Sequence, residues 1–414
     1  LAQIVAPDQT RLGFMLPYTP LHLLLLEPEP GFPEVLVMTS GNLSEEPIAF
    51  ENDEARERLS GLADGFLMHD RPIYMRIDDS VVTMLREKPY LVRRARGFAP
   101  QQLRLPWEAM PLLATGTELK NTFCLTRERY AFVSHYIGDL ENQETLSAFE
   151  QAIPHYEHVF RIQPKAIACD LHPDYLATRY AQARSQAESL PLIAVQHHHA
   201  HIASCIAENG WASHEPVIGL AYDGTGYGTD GTIWGGEILI ASYKDFTRRF
   251  HLAPVPLPGG DLAVRKPARM ALSYLLAAGM DIEDQTLAPV AYLTLAEAQA
   301  VRHQAHTGFN APLTSSMGRL FDAVAALIGL CEEISYEAQA AMALESAADP
   351  QESGFYEMPL KNDIIDPLPM IRTIVAELND SVSAGCIAAR FHNSLVRMSV
   401  EACRQIRKES GLRM

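Results

Sequence analysis

Short apolar stretches alternate with longer amphipathic segments along most of the chain, and this alternation is typical of an α/β protein. The pattern predicts strands at residues 35–38, 66–68, 80–85, 122–126, 130–134, 192–195, 217–222 and 233–242. It predicts helices at residues 53–62, 143–160, 198–208, 264–278 and 387–407, with a mostly helical region at 294–345. The apolar run at residues 23–26 suits either a buried strand or part of a short helix.

The pattern also indicates two domains. Residues 98–111 form a polar, aperiodic stretch with three prolines, which is typical of a linker. We therefore predict one α/β domain over residues 1–105 and a second over residues 111–414. In the second, a strand twice enters a Gly/Thr-rich turn and returns as a strand, first near residue 116 and again near residue 224. Two such halves with their turns facing each other would form a phosphate clamp.

Composition and charge narrow the class of protein. Of the 414 residues, 47% are apolar and 21% are charged, as in a folded globular protein. The net charge of −17 opposes binding to a nucleic-acid backbone. The six cysteines form no Cys-x-x-Cys pair, and no apolar run reaches the roughly 18 residues of a membrane span. We therefore expect a reduced, cytoplasmic protein with no nucleic-acid partner and no membrane segment.

Both ends of the chain suggest a piece of a longer protein. The first residue is Leu1 rather than Met, and the helical pattern at 387–407 leads into no further strand. A helix at that place in an α/β domain normally precedes another strand.

The run His197-His198-His199-Ala200-His201 is the strongest chemical signal, because it places four of the 15 histidines within five residues. It follows a predicted strand, and ligands collect at the C-terminal ends of strands in α/β folds. On a helix, His197 and His201 share one face at the spacing that lets two imidazoles bind one metal ion. The alternative is a set of core or capping histidines. His198 and His199 point elsewhere, either toward substrate or to stabilise the helix start.

The segment Asp223-Gly224-Thr225-Gly226 is the second signal. Its glycines let backbone N–H groups approach phosphate oxygens, Thr225 adds a hydroxyl donor, and the Asp223 carboxylate can hold a metal. Hairpin turns use the same residues. The position one strand after His201 favours the functional interpretation.

Three further turns carry candidate chemistry beside an ordinary alternative. Lys120, in the turn at 116–121, could neutralise phosphate charge, although a solvated lysine fits the composition better. Gly260 and Asp261 suit recognition of ribose hydroxyls, and a helix N-cap at Asp261 fits equally well. Arg319 follows a capped helix start and could contact phosphate, although a simple capped helix explains the pattern better.

In the first domain, hydroxyls, an amide and arginines cluster at strand ends, as a nucleotide site would require. The candidates are Ser40, Asn42, Arg76 and Arg94. By composition alone, turn chemistry and a solvated basic surface explain them better.

Taken in order, these motifs resemble the hydrogenase maturation carbamoyltransferases of the HypF family over essentially the whole chain. Residues 1–105 carry TSGNLSEEPI, HDRPIYMRIDDSVV and RRARGFAP, and they resemble the second half of a YrdC-like adenylating domain. Residues 111–414 carry GTELKNTFCL, VQHHHAHIAS, YDGTGYGTDGTIWGGE, PGGDLAVRKPAR and SSMGRLFDA. This second part resembles the Kae1-like threonylcarbamoyl-transferase domain, a duplicated, two-lobed member of the actin/Hsp70/hexokinase fold.

The resemblance implies a reaction in three steps. Carbamoyl phosphate yields carbamate, ATP with Mg²⁺ converts carbamate to carbamoyl adenylate and pyrophosphate, and the carbamoyl group passes to the C-terminal cysteine of HypE with release of AMP. The product serves the synthesis of cyanide ligands for [NiFe]-hydrogenase. The resemblance also implies that zinc or iron binds in the transferase domain.

The resemblance assigns roles to individual residues. His197, His201 and Asp223 would be metal ligands and catalytic residues. The implied nucleotide contacts are Gly224, Thr225, Gly226 and Lys120 for phosphate, Gly260 and Asp261 for ribose, and Ser40, Asn42, Arg76 and Arg94 in the YrdC-like part.

The chain departs from the family pattern in what it lacks. It has no acylphosphatase domain, no zinc-finger modules, no first half of the YrdC-like domain and no C-terminal strand with a final aspartate ligand. We therefore expect a metal site one ligand short and a fragment without full activity. Two alternatives are an O-carbamoyltransferase of antibiotic biosynthesis and a nucleotide-responsive scaffold. The domain order and the histidine run favour the HypF family over both.

Overall fold

The computed structural model describes residues 5–6, 9, 11–43, 46–280 and 286–412, which form two compact units. The N-terminal unit comprises Leu16–Gln196 and Ser204–Ser213. The C-terminal unit comprises Leu1–Met15, His197–Ala203 and His214–Met414.

Short elements open the N-terminal unit. They are α1 (Pro20–Leu25), α2 (Asn52–Leu59) and an antiparallel hairpin of β1 (Val81–Leu85) and β2 (Lys88–Arg93). The predictions of a helix at 53–62 and a strand at 80–85 are confirmed. Residues 23–26 contribute to a helix rather than a strand, and Leu23 and Leu24 are exposed rather than buried.

A four-stranded sheet in the order β4-β3-β5-β6 organises the rest of the N-terminal unit. Its strands are β3 (Leu103–Ala114), β4 (Cys124–Val133), β5 (Ile167–Asp170) and β6 (Leu192–Val195). β3 and β4 are antiparallel, whereas β3, β5 and β6 are parallel. The helices are α3 (Gln143–Phe160), α4 (Leu176–Glu188) and α5 (His197–Glu208), whose residues up to Ala203 belong to the C-terminal unit.

The core of the N-terminal unit lies between this sheet and α3. The α3 prediction is confirmed to the residue, and the Asn142 side chain caps the helix by accepting from the Thr145 amide. The Phe123 ring packs edge-on against Phe149 and Tyr156, with centroids 6.1 and 5.0 Å away. These aromatic contacts join the residue before β4 to α3.

Three local predictions in the N-terminal unit are wrong. Residues 98–111 are not a linker, because most of them belong to β3, whose bulges let a strand continue past its prolines. Residues 35–38 and 66–68 form no strand in the described structure, so their backbone joins no sheet. Apolar side chains in these segments, such as Val37, are exposed. The predicted strands at 122–126 and 130–134 form one strand, since β3 is long enough to pair with both.

A seven-stranded sheet organises the C-terminal unit. Its strands are β7 (Val217–Tyr227), β8 (Ile233–Ala241), β9 (Phe246–Leu252), β10 (Val255–Pro256), β11 (Leu313–Thr314), β12 (Leu360–Lys361) and β13 (Ile364–Ile365). The long strands β7, β8 and β9 form an antiparallel meander. β11 joins β8 and β13 joins β9 in parallel.

The helices of this unit surround a large apolar core. They are α6 (Asp261–Arg265), α7 (Pro267–Ala277), α8 (Ala288–Tyr292), α9 (Leu295–Thr307), α10 (Met317–Leu327), α11 (Gln339–Ala347), α12 (Leu368–Asn379) and α13 (Ala384–Ser410). α7 and α10 are buried along most of their length, and α10 buries the pair of Arg319 and Asp322 together with its apolar residues. The predicted helical regions at 264–278, 294–345 and 387–407 are confirmed in outline.

Candidate metal centre

The histidine run begins a helix, as predicted. β6 ends at Val195, and α5 starts two residues later at His197. One helical turn brings His197 and His201 onto the same face, and their Nε2 atoms lie 3.1 Å apart. Both residues belong to the C-terminal unit.

Asp223 of β7 completes the cluster. Its Oδ2 atom lies 2.9 Å from Nε2 of His197 and 3.5 Å from Nε2 of His201. Ligand atoms at the corners of a tetrahedron around zinc, with bonds of about 2.0–2.1 Å, lie about 3.3 Å apart. Two imidazoles and a carboxylate at these separations fit three ligand positions of a tetrahedral site. A ligand set of this kind suits zinc or ferrous iron.

Asp223 is held in place on both sides. Its Oδ1 atom accepts a hydrogen bond of 2.6 Å from the Gly224 amide, which leaves Oδ2 toward the histidines. Its backbone carbonyl accepts from the Ser316 hydroxyl at 2.9 Å. Burial alone would raise the pKa of Asp223, but the contacts with His197 and His201 outweigh burial and hold the pKa well below 3.8. The carboxylate is therefore charged and oriented, as a metal ligand must be.

Two glycines of β7 allow α5 to approach this closely. A Cβ atom at Gly226 would lie 2.4 Å from Cε1 of His198, and one at Gly219 would lie 2.5 Å from Cδ1 of Ile202. Both distances are too short for any side chain. Sequence reasoning missed Gly219 and considered Gly226 only as a phosphate contact. Because the two glycines lie seven residues apart in a strand, their shared partner helix could not be read from the sequence.

The other two histidines of the run have structural positions. His199 contacts the Ser242 carbonyl through Nε2 at 2.7 Å and packs on the Phe246 ring, so it ties α5 to the β8–β9 connection. His198 is fully buried, and burial followed by the charge of His197 lowers its pKa to about 4. The His199 contact thus holds the first turn of α5 against the β8–β9 connection.

A buried carboxylate supports the strands beside the cluster of His197, His201 and Asp223. Glu237 is completely buried, and its carboxylate accepts hydrogen bonds from Nε of Arg248 at 2.6 Å and from the Ser315 hydroxyl at 2.6 Å. Arg248 also binds Asp230 and stacks on the Trp234 ring, with 3.9 Å from Cζ to the centroid. This network connects β8 and β9 to Ser315. The next residue, Ser316, donates its hydroxyl hydrogen bond to the Asp223 carbonyl. Nothing in the sequence marked Glu237, since a single glutamate in a strand has no recognisable spacing.

The segment at residues 223–226, predicted to bind phosphate in a turn, has a different backbone conformation. Residues 223–226 lie within β7, at a bulge between Tyr222 and Gly226 in the pairing with β8, and not in the hairpin turn. The turn itself is at 228–232, where the Gly228 amide donates to the Thr232 carbonyl. Thr225 is exposed, and Gly224 lies beside the Arg319 guanidinium. A bulge re-aims side chains locally, which here points Asp223 at α5.

The remaining predicted contacts are spread over both units. A helix starts here as the alternative required, but its N-cap is Gly260, with a φ of +59°, and Asp261 is the first residue of α6 and not the cap. Lys120 belongs to the N-terminal unit, has a φ of +49°, and its amide donates to Asp139. Neither observation tests nucleotide binding.

The candidates in the YrdC-like part lie in the N-terminal unit. The side-chain amide of Asn42 donates to the Leu43 and Glu46 carbonyls, and the Asn42 backbone amide donates to the Ser40 carbonyl. The Arg76 guanidinium packs over the Phe50 ring at 5.0 Å, and Arg94 donates to the Phe98 carbonyl. The structure thus shows local turn chemistry for Ser40 and Asn42, and the nucleotide contacts of all four residues stay a prediction.

Three family models match consecutive parts of the chain. Residues 1–95 match the Sua5/YciO/YrdC model described as telomere recombination. Residues 108–208 match the HypF Kae1-like domain, and residues 219–414 match the second subdomain of the carbamoyltransferase Kae1-like domain. The fold and the three family models therefore define a protein that joins a YrdC-like domain to a Kae1-like domain, as predicted.

The relatives are more specific. Carbamoyltransferase HypF of Rhodobacter capsulatus is 46% identical over 413 residues, which is 98% of this chain and 54% of the relative. A HypF homologue of Cupriavidus necator is 40% identical over 70% of this chain and 75% of the relative. A crystal structure of full-length HypF in a phosphate- and nucleotide-bound form superposes with a TM-score of 0.91 at 44% identity, covering 98% of this chain and 53% of that one. The chain belongs to the HypF carbamoyltransferase family.

The chain spans about half the length of Rhodobacter HypF, namely 54%. In the described part of the chain, no helix is both long enough and apolar enough to span a membrane.

Proposed function

We propose that the natural full-length protein makes carbamoyl adenylate from carbamoyl phosphate and ATP, and transfers its carbamoyl group to the C-terminal cysteine of HypE. The product would serve cyanide synthesis for [NiFe]-hydrogenase. The observation that carries this proposal is the cluster of His197, His201 and Asp223 in a chain of the HypF family.

The proposal divides the work between the two parts of the chain. The YrdC-like part, with Ser40, Asn42, Arg76 and Arg94, would bind ATP with Mg²⁺ and join carbamate to the α-phosphate with release of pyrophosphate. The Kae1-like part would bind the resulting mixed anhydride, with Gly224, Thr225, Gly226 and Lys120 at the phosphate and Gly260 and Asp261 at the ribose.

The transfer step itself is an acyl substitution. The acceptor thiolate attacks the carbamoyl carbon, a carbon–sulfur bond forms, and the bond from that carbon to the phosphate oxygen breaks. The electron pair of the broken bond leaves with AMP, and the thiol proton passes to solvent. No internal cysteine nucleophile is needed, because the partner supplies the thiol.

His197, His201 and Asp223 would hold the metal in this site. When bound, zinc or ferrous iron would supply Lewis-acid polarisation of a carbonyl or balance phosphate charge. The residues of the chain contribute orientation. The Gly224 amide and the Ser316 hydroxyl hold Asp223, while the short contact of α5 on Gly226 holds the histidines.

The proposal is tested by incubating the natural full-length protein with HypE, ATP and carbamoyl phosphate. We expect mass spectrometry to find one added carbamoyl group on the C-terminal cysteine of HypE, and none on HypE with that cysteine changed to serine. His201→Ala should abolish the modification, whereas His303→Ala on α9, an exposed histidine, should leave it intact. An unmodified HypE would contradict the proposal. Carbamoylation of a small-molecule hydroxyl instead would support the antibiotic-type alternative.

A further inference from the structure

Arg319 lies in the first turn of α10, beside the metal cluster. Its relative exposure is only 9%, so its charge is held inside the C-terminal unit. Its Nε atom donates to Oδ2 of Asp322 at 2.7 Å, and Nη1 lies 3.4 Å from the Gly224 carbonyl. Within the described part of the chain, Nη2 has no hydrogen-bond partner. Nε and Nη1 are therefore engaged by protein groups, and the Nη2 nitrogen is available to a ligand.

α10 is docked on the residues that carry the metal ligand. Its N-cap Ser316 donates to the Asp223 carbonyl at 2.9 Å and lies 2.8 Å from the Gly224 carbonyl. A Cβ atom at Gly318 would lie 2.8 Å from Cα of Gly224, so only glycine allows this approach. Nη2 of Arg319 lies 4.0 Å from the Cβ position of Gly224, which is the residue directly after Asp223. The free edge of the arginine thus adjoins the metal cluster.

The polar groups around Arg319 are not explained by stability. Asp322 is 3% exposed, and a buried ion pair gains little over well-packed apolar residues of similar size. The Tyr274 hydroxyl is fully buried without a hydrogen-bond partner in the described residues, and it experiences the charges of Arg319 and Asp322. A buried hydroxyl normally finds a partner. Groups left incompletely satisfied in a native core are typical of binding sites.

We propose that Arg319 is an anion-binding residue, and that its Nη2 edge binds a phosphate oxygen of a nucleoside monophosphate group placed beside His197, His201 and Asp223. A planar guanidinium whose Nε is held by a carboxylate presents Nη2 to a phosphate oxygen in a fixed orientation, which a flexible lysine ammonium cannot imitate. Asp322 is the positioning residue, because it acts through Arg319. This inference deepens the proposed function and rests on it.

The position of Arg319 gives it a role in the transfer step. When the bond from the carbamoyl carbon to the phosphate oxygen breaks, the electron pair moves to that oxygen and the phosphate becomes a dianion. A fixed cation beside the phosphate binds the dianion more tightly than the diester-like ground state. Arg319 therefore favours departure of AMP, while the acceptor thiolate forms its bond to the carbamoyl carbon on the other side.

The test uses cobalt(II) as a reporter of this site alone. The native metal of the natural full-length protein is replaced by cobalt, and AMP or adenosine is titrated while the visible absorption of the cobalt is followed. AMP should change the wild-type spectrum and adenosine should not. In Arg319→Gln the AMP midpoint should rise by about 10- to 100-fold, and Arg319→Lys should recover only part of the loss. Arg390→Lys, which alters an ion-paired arginine of the same unit outside the site, should titrate like wild type.

Each result decides something. Equal AMP midpoints in wild type and Arg319→Gln would overturn the inference. A wild-type cobalt spectrum that does not change when AMP is added would also overturn it. If Arg319→Gln fails to fold, a crystal structure of the wild-type protein with AMP decides, because Nη2 must then lie within hydrogen-bond distance of the phosphate. An Arg319-dependent AMP response without carbamoylation of HypE would keep the phosphate site and reject the proposed function. Carbamoylation with no Arg319 dependence would do the reverse.

Discussion

Gly226 of β7 and His198 of α5 touch so closely that a Cβ atom at position 226 would lie 2.4 Å from Cε1 of the histidine. The same Cβ atom would lie 3.0 Å from Cδ2 of His197, one of the three candidate metal ligands. The separation between helix and strand at the candidate metal site is thus set by the absence of a single methyl group.

Changing Gly226 to alanine should weaken metal binding. The added methyl group must push the first turn of α5 away from β7, which separates His197 from Asp223. We expect a loss of about 10- to 100-fold in metal affinity, the range found when groups that orient metal ligands are changed. Competition with a chelator measures this. Gly65→Ala is the control, since a Cβ atom there meets nothing within 4 Å; an alanine at 226 that binds metal like wild type would disprove the role of this contact.

Removal of either imidazole should empty the metal site. His197→Ala and His201→Ala each leave two ligand atoms of the described three, too few for tight binding of zinc or iron. Elemental analysis of the purified proteins should find stoichiometric metal in wild type and in His303→Ala, and little in the two variants. If either variant keeps one metal per chain, the ligand assignment is wrong.

Glu237→Ala should be strongly destabilising. It removes the carboxylate that pairs with Arg248 and accepts from Ser315, and it leaves a largely buried guanidinium without its main partner. The expected loss in free energy of unfolding is about 3–5 kcal/mol, measured by urea denaturation. Arg249→Gln breaks pairs with the more exposed Asp363 and Glu409, and should cost about 1 kcal/mol or less. Similar losses for the two variants would show that burial of Glu237 does not matter.

His135 should make the N-terminal unit sensitive to acid. Burial, assisted by the charge of His155, lowers the pKa of His135 from 6.5 to about 4. The unfolded chain therefore binds the proton more readily than the folded one, so stability is complete above the unfolded pKa and falls as the pH drops from 6.5 toward 4. We expect this residue to contribute a loss of roughly 2 kcal/mol between pH 7 and pH 5.

The measurement is the free energy of unfolding against pH for wild type and His135→Gln. His198, whose pKa is also lowered to about 4, is present in both proteins, so the difference isolates His135. The His135→Gln curve should be flatter over this window. Parallel curves would mean that His135 titrates alike in the folded and unfolded chains.

Local features of the chain were predictable because they depend on neighbours in sequence. The periodicity over Gln143–Phe160 predicted α3 to the residue, and the strand before His197 placed the histidine pair on the first turn of a helix. The spacing of His197 and His201 alone was enough to place two imidazoles on one face. Predictions failed where pairing with a distant strand decides the conformation, as in β3, where a proline-rich stretch became the longest strand of its sheet.

What the sequence by itself determined is the family, through motifs that match the HypF family, and a set of candidate metal ligands: two imidazoles one turn apart and an aspartate one strand later. Only the tertiary structure decided how these groups meet. A bulge, not a turn, aims Asp223 at α5, and bare backbone at Gly219 and Gly226 lets the helix approach. Bare backbone at Gly318 likewise lets α10 approach β7, and the buried Glu237 carboxylate accepts a hydrogen bond from Ser315. Such contacts join residues far apart along the chain, so they depend on packing distances that no local pattern encodes.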